Sequence, residues 1–225
     1  MSQPKVIFID AVGTLFGVKG SVGEVYQSLA QKAGVTASAP DLDQAFYQSF
    51  ANANAMAFPD TPPVKIPYLE YQWWLAIAEE TFQRAGIFHQ FTDFETFFEG
   101  VYQHFATATP WEVYPDTVQS LQRWQQLGIS LGIISNFDSR IYSVLDALNL
   151  RHYFQTITIS TEAGAAKPNP LIFTTALQKH GCNPQAAWHI GDSRQDDIQG
   201  AKAAGIHGIW IKRPKQAAIQ SPTAP

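Results

Sequence analysis

Five short runs of β-branched and aromatic residues, most of them alternating with helical patterns, restrict the fold more than any other feature of this chain. The runs are Lys5–Ile9, Ile129–Ile134, Phe154–Ile159, Trp188–Ile190 and His207–Ile211. Around the later ones, Thr117–Leu127, Asp138–Leu148, Pro170–His180 and Asp197–Ala204 carry helical spacing. Gly128 is placed to end the first of these helices and Asp138 to cap the second. Apolar strands that alternate with helices belong to a parallel sheet covered on both faces.

The first run stands far from the rest. From about Gly23 to Ala106 the apolar period is helical: Val25, Leu29 and Ala33, then Phe46 and Phe50, then Leu69, Trp73 and Ile77, then Asp93 to Phe105. Pro59, Pro62, Pro63 and Pro67 break this aromatic-rich block between two helices. The expectation is an α/β protein whose core comprises residues 1–17 and 110–225, with a helical insert at 18–109. Such an insert belongs over the carboxyl ends of the strands, where open α/β sheets hold ligands. The last residues, 213–225, rich in proline and poor in apolar side chains, read as a flexible tail.

The chain's 225 residues suffice for a full core, and a 45% hydrophobic content excludes the disordered classes. A formal charge of -4 without a like-charged run gives no footprint for nucleic acid or an anionic membrane. Oligomeric state stays open. Cys182 is the single cysteine, so no intrachain disulfide forms, as suits a reducing compartment. With no membrane-length apolar run and no leader pattern, the expected location is cytoplasmic.

Polar signals fall just after the apolar runs. Asp10-Ala11-Val12-Gly13-Thr14-Leu15 follows the first, and Ser135-Asn136 closes the second. Lys167-Pro168 precedes the helix at Pro170, and Gly191-Asp192 follows the fourth run with Asp197 five residues on. Singly, each has a plain structural explanation: a loop cap, a turn, a solvated lysine, charge at a helix N-terminus. The six histidines show no metal-ligand spacing, and His189 is expected to pack at its strand end.

In combination and order, these signals resemble the four motifs of the haloacid dehalogenase superfamily, from Ile7 to Gly205. Gln72-Trp73-Trp74-Leu75, Ser135-Asn136-Phe137-Asp138 and Lys167-Pro168-Asn169-Pro170 are similar to the haloacid-dehalogenase-like hydrolase domain-containing proteins. The resemblance implies a Rossmann-like parallel sheet with a helical cap, and a phosphatase-like enzyme acting on a small phosphorylated metabolite. It makes Asp10 the nucleophile that forms an aspartyl-phosphate, and Lys167 the cation that neutralises charge beside it. Thr14 and Ser135 would hold phosphoryl oxygens, with Asn136 fixing their loop. Magnesium would take Asp10, the Val12 carbonyl and Asp192, with Asp197 in its outer shell or nearby.

One position departs from the pattern. Phosphatases of the superfamily carry a second aspartate two residues after the nucleophile, as general acid and base, and this chain has Val12 there. General acid–base catalysis is typically worth about 10²–10⁴-fold. Asp196 is a nearby acid in sequence with no geometric claim to that role. Three readings therefore stand: a magnesium-dependent phosphoryl hydrolase, a non-phosphate hydrolase, or an impaired relative that binds or regulates. For the second, 2-haloacid dehalogenases also lack the second aspartate, but usually replace the Gly-Asp pair and use a cap arginine. The first arginine here is Arg84. Phosphonoacetaldehyde hydrolase keeps magnesium and uses a cap lysine, for which Lys19, Lys32 and Lys65 are weakly placed candidates.

Overall fold

A computed structural model describes residues 3–213. Its centre is a five-stranded, wholly parallel sheet of β1 (Val6–Ile9), β4 (Ser130–Ser135), β5 (Thr156–Ile159), β6 (Ala187–Gly191) and β7 (His207–Trp210), in the order β5-β4-β1-β6-β7. The expected strands are all present. From β1 the chain moves outward to β4 and β5, then returns to the other side of β1 for β6 and β7. Connections that diverge from a central strand open a crevice at its carboxyl end.

The sheet owes its two covered faces to period-two alternation along β1. Ile7 and Ile9 join Leu131, Ile133, Ile157 and Ile159 in one cluster, packed with Leu121 of α5 (Thr117–Gln126) and Val144 and Leu145 of α6 (Ile141–Ala147). Val6 and Phe8 face the other way, onto Ile172, Phe173 and Ala176 of α8 (Pro170–His180) and Ala201 of α9 (Gly200–Ala203). Fully buried side chains of this size each stabilise the fold by about 1.5–3 kcal/mol.

Helices α1 (Val22–Lys32), α2 (Ala39–Asn52), α3 (Ile66–Arg84) and α4 (Phe94–His104) form a block with a cluster of its own, which includes Tyr26, Phe46, Ile77, Phe82, Phe94 and Phe98. Sequence reading misses how the block is attached. Phe16–Val18 (β2) pairs antiparallel with Trp111–Val113 (β3), so a two-stranded ribbon closes the block where the chain leaves and re-enters the core. Strands of three residues, one holding Gly17, are too short to show a period.

Several local expectations need correction. The buried stripe of α1 is Gly23, Tyr26 and Ala30, while Ala33 is exposed, because the aromatic ring claims the seam. Phe50 is also exposed. Pro67 breaks nothing: it sits in the first turn of α3, where no backbone N–H is required of it. Asp138 is not the N-cap residue of α6, which starts at Ile141; its Oδ1 accepts the Arg140 N–H just before the helix at 2.9 Å, and the Arg140 side chain donates to both of its oxygens. The last helix enters through a π-helical turn, Arg194–Gln199, capped by Ser193 rather than opened by Asp197. Within the expected tail, Arg213 is anchored, donating to the Thr14 carbonyl at 2.6 and 3.1 Å and to Asp116. The rest of that stretch, 214–225, lies outside the described residues. No described helix is long and apolar enough to cross a membrane.

Candidate active site

The carboxyl ends of β1, β4 and β6 bring the polar residues together. β1 runs between β4 and β6, with Ile9 level with Ile133 on one side and Ile190 on the other. The next residue, Asp10, therefore projects between the loops that follow β4 and β6, its own N–H bonded to the Ile190 carbonyl at 2.9 Å. Its carboxylate is buried among donors. Lys167 Nζ donates to Oδ1 at 2.6 Å, Ser135 Oγ to Oδ1 at 3.1 Å and Thr14 Oγ1 to Oδ2 at 3.3 Å.

Lys167 binds a second acid. Its ammonium donates to Asp197 Oδ1 at 2.6 Å, and the same oxygen pairs with His189 Nε2 at 2.8 Å. Asp197 Oδ2 accepts the Ser193 N–H, so both Asp197 oxygens are occupied by protein donors. The imidazole facing a carboxylate carries its proton on Nε2, which leaves buried Nδ1 without a protein partner. His189 does pack at its strand, against Phe173, but its bond to Asp197 was hidden from sequence reasoning. The one available signal was a polar ring on an otherwise apolar strand.

Asn136 does not reach Asp10. Its amide spans to the backbone of Lys167, accepting from its N–H at 2.7 Å and donating to its carbonyl at 3.0 Å. It fixes the lysine rather than the carboxylate. Val12 packs its side chain partly against the core cluster beneath the site. Asp196 is held by Ser193 and takes no part.

Ligand oxygens of Asp10, Asp192 and Asp197 all lie within 4.8 Å of one another. Two glycines permit this crowding. A Cβ on Gly13, whose φ is +86°, would stand 2.5 Å from Asp192 Oδ2, and one on Gly191 would stand 2.0 Å from Asp197 Cγ. Three carboxylates face one ammonium, an excess of negative charge. Burial is the main force raising Asp10 above the ordinary carboxyl range, against the pull of Lys167. Asp192 is the most exposed of the three, yet partial burial of its carboxyl, with Asp10 and Asp197 close by, pushes it up to about 6. Burial acts on Asp197 too, but the His189 hydrogen bond and the Lys167 charge outweigh it and hold that group far below the usual range. Lys167 loses hydration on burial, but its two carboxylate partners raise it above its ordinary value. Perturbed carboxylates of this kind cluster at functional sites.

A family model described as haloacid dehalogenase-like hydrolase matches residues 4–205. The chain belongs to that family. Among its relatives is the Bos taurus haloacid dehalogenase-like hydrolase domain-containing protein 3, 32% identical over 213 residues, covering 95% of this chain and 84% of the relative. The glyceraldehyde 3-phosphate phosphatase of Methanopyrus kandleri is 36% identical over 103 residues, 45% of this chain and 44% of that one. In fold the chain is similar to the L-2-haloacid dehalogenase from Xanthobacter autotrophicus, with a TM-score of 0.66 at 20% identity over 95% of this chain and 80% of that chain. The names of these similar proteins span two chemistries, phosphate release and dehalogenation.

Proposed function

We propose that this hydrolase is a phosphatase-like enzyme that works through a covalent Asp10 intermediate, with magnesium, on a small phosphorylated metabolite. One observation carries the reading: Thr14, Ser135 and Lys167 converge on Asp10 while Asp192 stands beside it. Those three donors would serve equally the oxygens of a phosphoryl group placed against the carboxylate. An Asp10 oxygen attacks phosphorus, the bond to the leaving oxygen breaks, and water then hydrolyses the aspartyl-phosphate to free Asp10 and phosphate. Lys167, anchored by Asp197 and Asn136, offsets charge between nucleophile and phosphoryl group.

The acidic trio fits magnesium, a hard cation that takes carboxylate oxygens and keeps several waters. Asp10, Asp192 and the Val12 carbonyl would hold it, and Asp197, with both oxygens occupied, would stand behind Lys167. Bound there, the ion would polarise a phosphoryl oxygen. The helical block serves as the cap over this site.

The dehalogenase reading fares worse on the residues present. Arg84, the first arginine of the chain, pairs with Glu80 on the surface of α3, and Lys19, Lys32 and Lys65, the candidates for a phosphonatase-like cap lysine, are all exposed. The impaired reading rests on Val12, which supplies no proton to a leaving group. Release of phosphate from p-nitrophenyl phosphate and of halide from 2-chloropropionate, each with magnesium and with the Asp10→Asn variant, tests the choice. The proposal expects phosphate release that Asp10→Asn abolishes. Halide release alone, or phosphate release unchanged in Asp10→Asn, would overturn it.

A further inference from the structure

A second buried polar network joins the helical block to the core, and nothing in the reaction just described uses it. Glu70 lies on the α3 face that carries Ile66 and Ile77, and it is fully buried. No cation pairs with it among the described residues. Its carboxylate instead accepts three bonds from the core: the Ser139 N–H at 3.0 Å, the Ser139 hydroxyl, and the Thr161 hydroxyl at 2.6 Å. Beside it, Trp74 of the same helix donates its indole N–H to Asp138 Oδ2 at 2.7 Å. Arg140 grips Asp138 through Nε and a terminal nitrogen, donates to the Tyr102 carbonyl of α4, and lies 3.8 Å from the Tyr102 ring centroid.

All the core partners but Thr161 lie in one turn, 138–140, directly after Ser135 and Asn136. Ser135 donates to Asp10, and Asn136 clasps the backbone of Lys167. A buried, ionised carboxylate satisfied only by neutral donors is costly to keep, and it is tolerable only while all those donors stay in place. We propose that Glu70 is a positioning residue. From the helical block it fixes the turn 138–140, and through it the orientation of Ser135 and Asn136 toward Asp10 and Lys167. Docking of the block and order in the site are thereby made one event.

The inference rests on the phosphatase reading for its kinetic consequence but not for its structural one, and the test separates them. Glu70→Ala strands the Ser139 and Thr161 donors. Glu70→Gln keeps an acceptor for the Ser139 N–H and Thr161, and its amide can donate to the Ser139 hydroxyl. Residue-resolved amide exchange on the full chain reads the turn without any turnover. Lys167, whose N–H donates to Asn136 of the core, should exchange faster in Glu70→Ala and return to the wild-type rate in Glu70→Gln. With p-nitrophenyl phosphate and magnesium, kcat per folded molecule should fall about 10- to 10²-fold in Glu70→Ala, with a smaller change in KM, and recover in Glu70→Gln. A Lys167 amide unaffected by Glu70→Ala overturns the proposal, as does a folded Glu70→Ala enzyme with wild-type kcat. If the wild type releases no phosphate, the phosphatase reading falls alone, and amide exchange decides the role of Glu70.

Discussion

The molecule contains two buried carboxylate networks of opposite construction. At the strand ends, Asp10 and Asp197 share the Lys167 ammonium, and Asp192 completes an acidic cluster whose charge exceeds that one cation. At the seam with the helical block, Asp138 is paired with Arg140, and Glu70 has hydroxyls and one backbone N–H in place of a cation. The first network leaves charge uncompensated where a metal ion and a phosphoryl group would meet. The second has each carboxylate met by donors, and it serves attachment. Excess charge marks a place built to receive something; closed hydrogen bonding marks a joint.

The largest loss comes from removing the cation of the first network. Lys167→Met leaves Asp10 and Asp197 buried without their shared partner, a situation that costs about 3–5 kcal/mol. Turnover of p-nitrophenyl phosphate per folded molecule should also fall by about 10²–10³-fold, the scale of losing one strong electrostatic donor. Urea unfolding together with steady-state rates checks both. Unchanged stability would mean that the strand-end network carries less charge than described above, and the contrast between the two networks would collapse.

Adding an acid to the same network sharpens the contrast. Val12→Asp should raise turnover of alkyl phosphates by up to about 10²–10⁴-fold, and that of p-nitrophenyl phosphate by less, because a stable leaving group needs no proton. Lost packing against the core cluster and repulsion from Asp10 and Asp192 work against the gain. Single-turnover rates at saturating magnesium, with folding verified, separate these terms. A folded variant that binds magnesium and hydrolyses neither substrate would move the impaired reading ahead. A smaller change is expected of Asp192→Asn, which should weaken magnesium binding by about 10- to 100-fold, a scale typical of damaged metal sites. Calorimetric titration that finds equal affinity in both proteins would remove Asp192 from the metal site.

The two networks also differ in how far the sequence discloses them. Asp10, Ser135, Lys167 and Asp192 are legible because each follows or precedes a short element at a recognisable spacing, and the strands that align them are strongly patterned. His189 is not, since its partner Asp197 lies eight residues away through a π-helical turn that no periodicity announces. Asn136 is visible as a motif residue, but its partner, the Lys167 backbone, is a tertiary fact. The seam is still less legible. Glu70 shows only as an acid on the Ile66 and Ile77 face of α3, and its partners stand 69 and 91 residues away. Asp138 looks like a helix cap until Arg140 and Trp74 are seen to claim it.

The smallest expected effect is a slope in stability with pH, and it isolates the unpaired carboxylate of the seam. Burial is the main cause of the raised Glu70 pKa; Asp138 adds to it, and the bonds from Ser139 and Thr161 oppose it. Arg140, Tyr102 and Tyr142 are titratable groups of that region too, and Tyr26, Tyr71 and Glu162 interact with them in turn. Because the folded pKa lies above the ordinary value of 4.5, the folded state holds the proton more tightly than the unfolded chain does. The contribution of Glu70 to stability is therefore fully present below about 4.5 and is lost as pH rises through the folded pKa. Glu70→Gln titrates nothing at this position, so wild type minus Glu70→Gln should decline with rising pH and then level off. For a chain of this size 1 kcal/mol moves Tm by about 2–4 °C, so paired melting curves across pH 4 to 8 resolve a shift of a few degrees. A difference that stays flat would show Glu70 to be as well solvated as a surface acid. One that grows with pH would mean that the hydroxyl and N–H donors stabilise the ionised form beyond the cost of burial, as His189 and Lys167 do for Asp197.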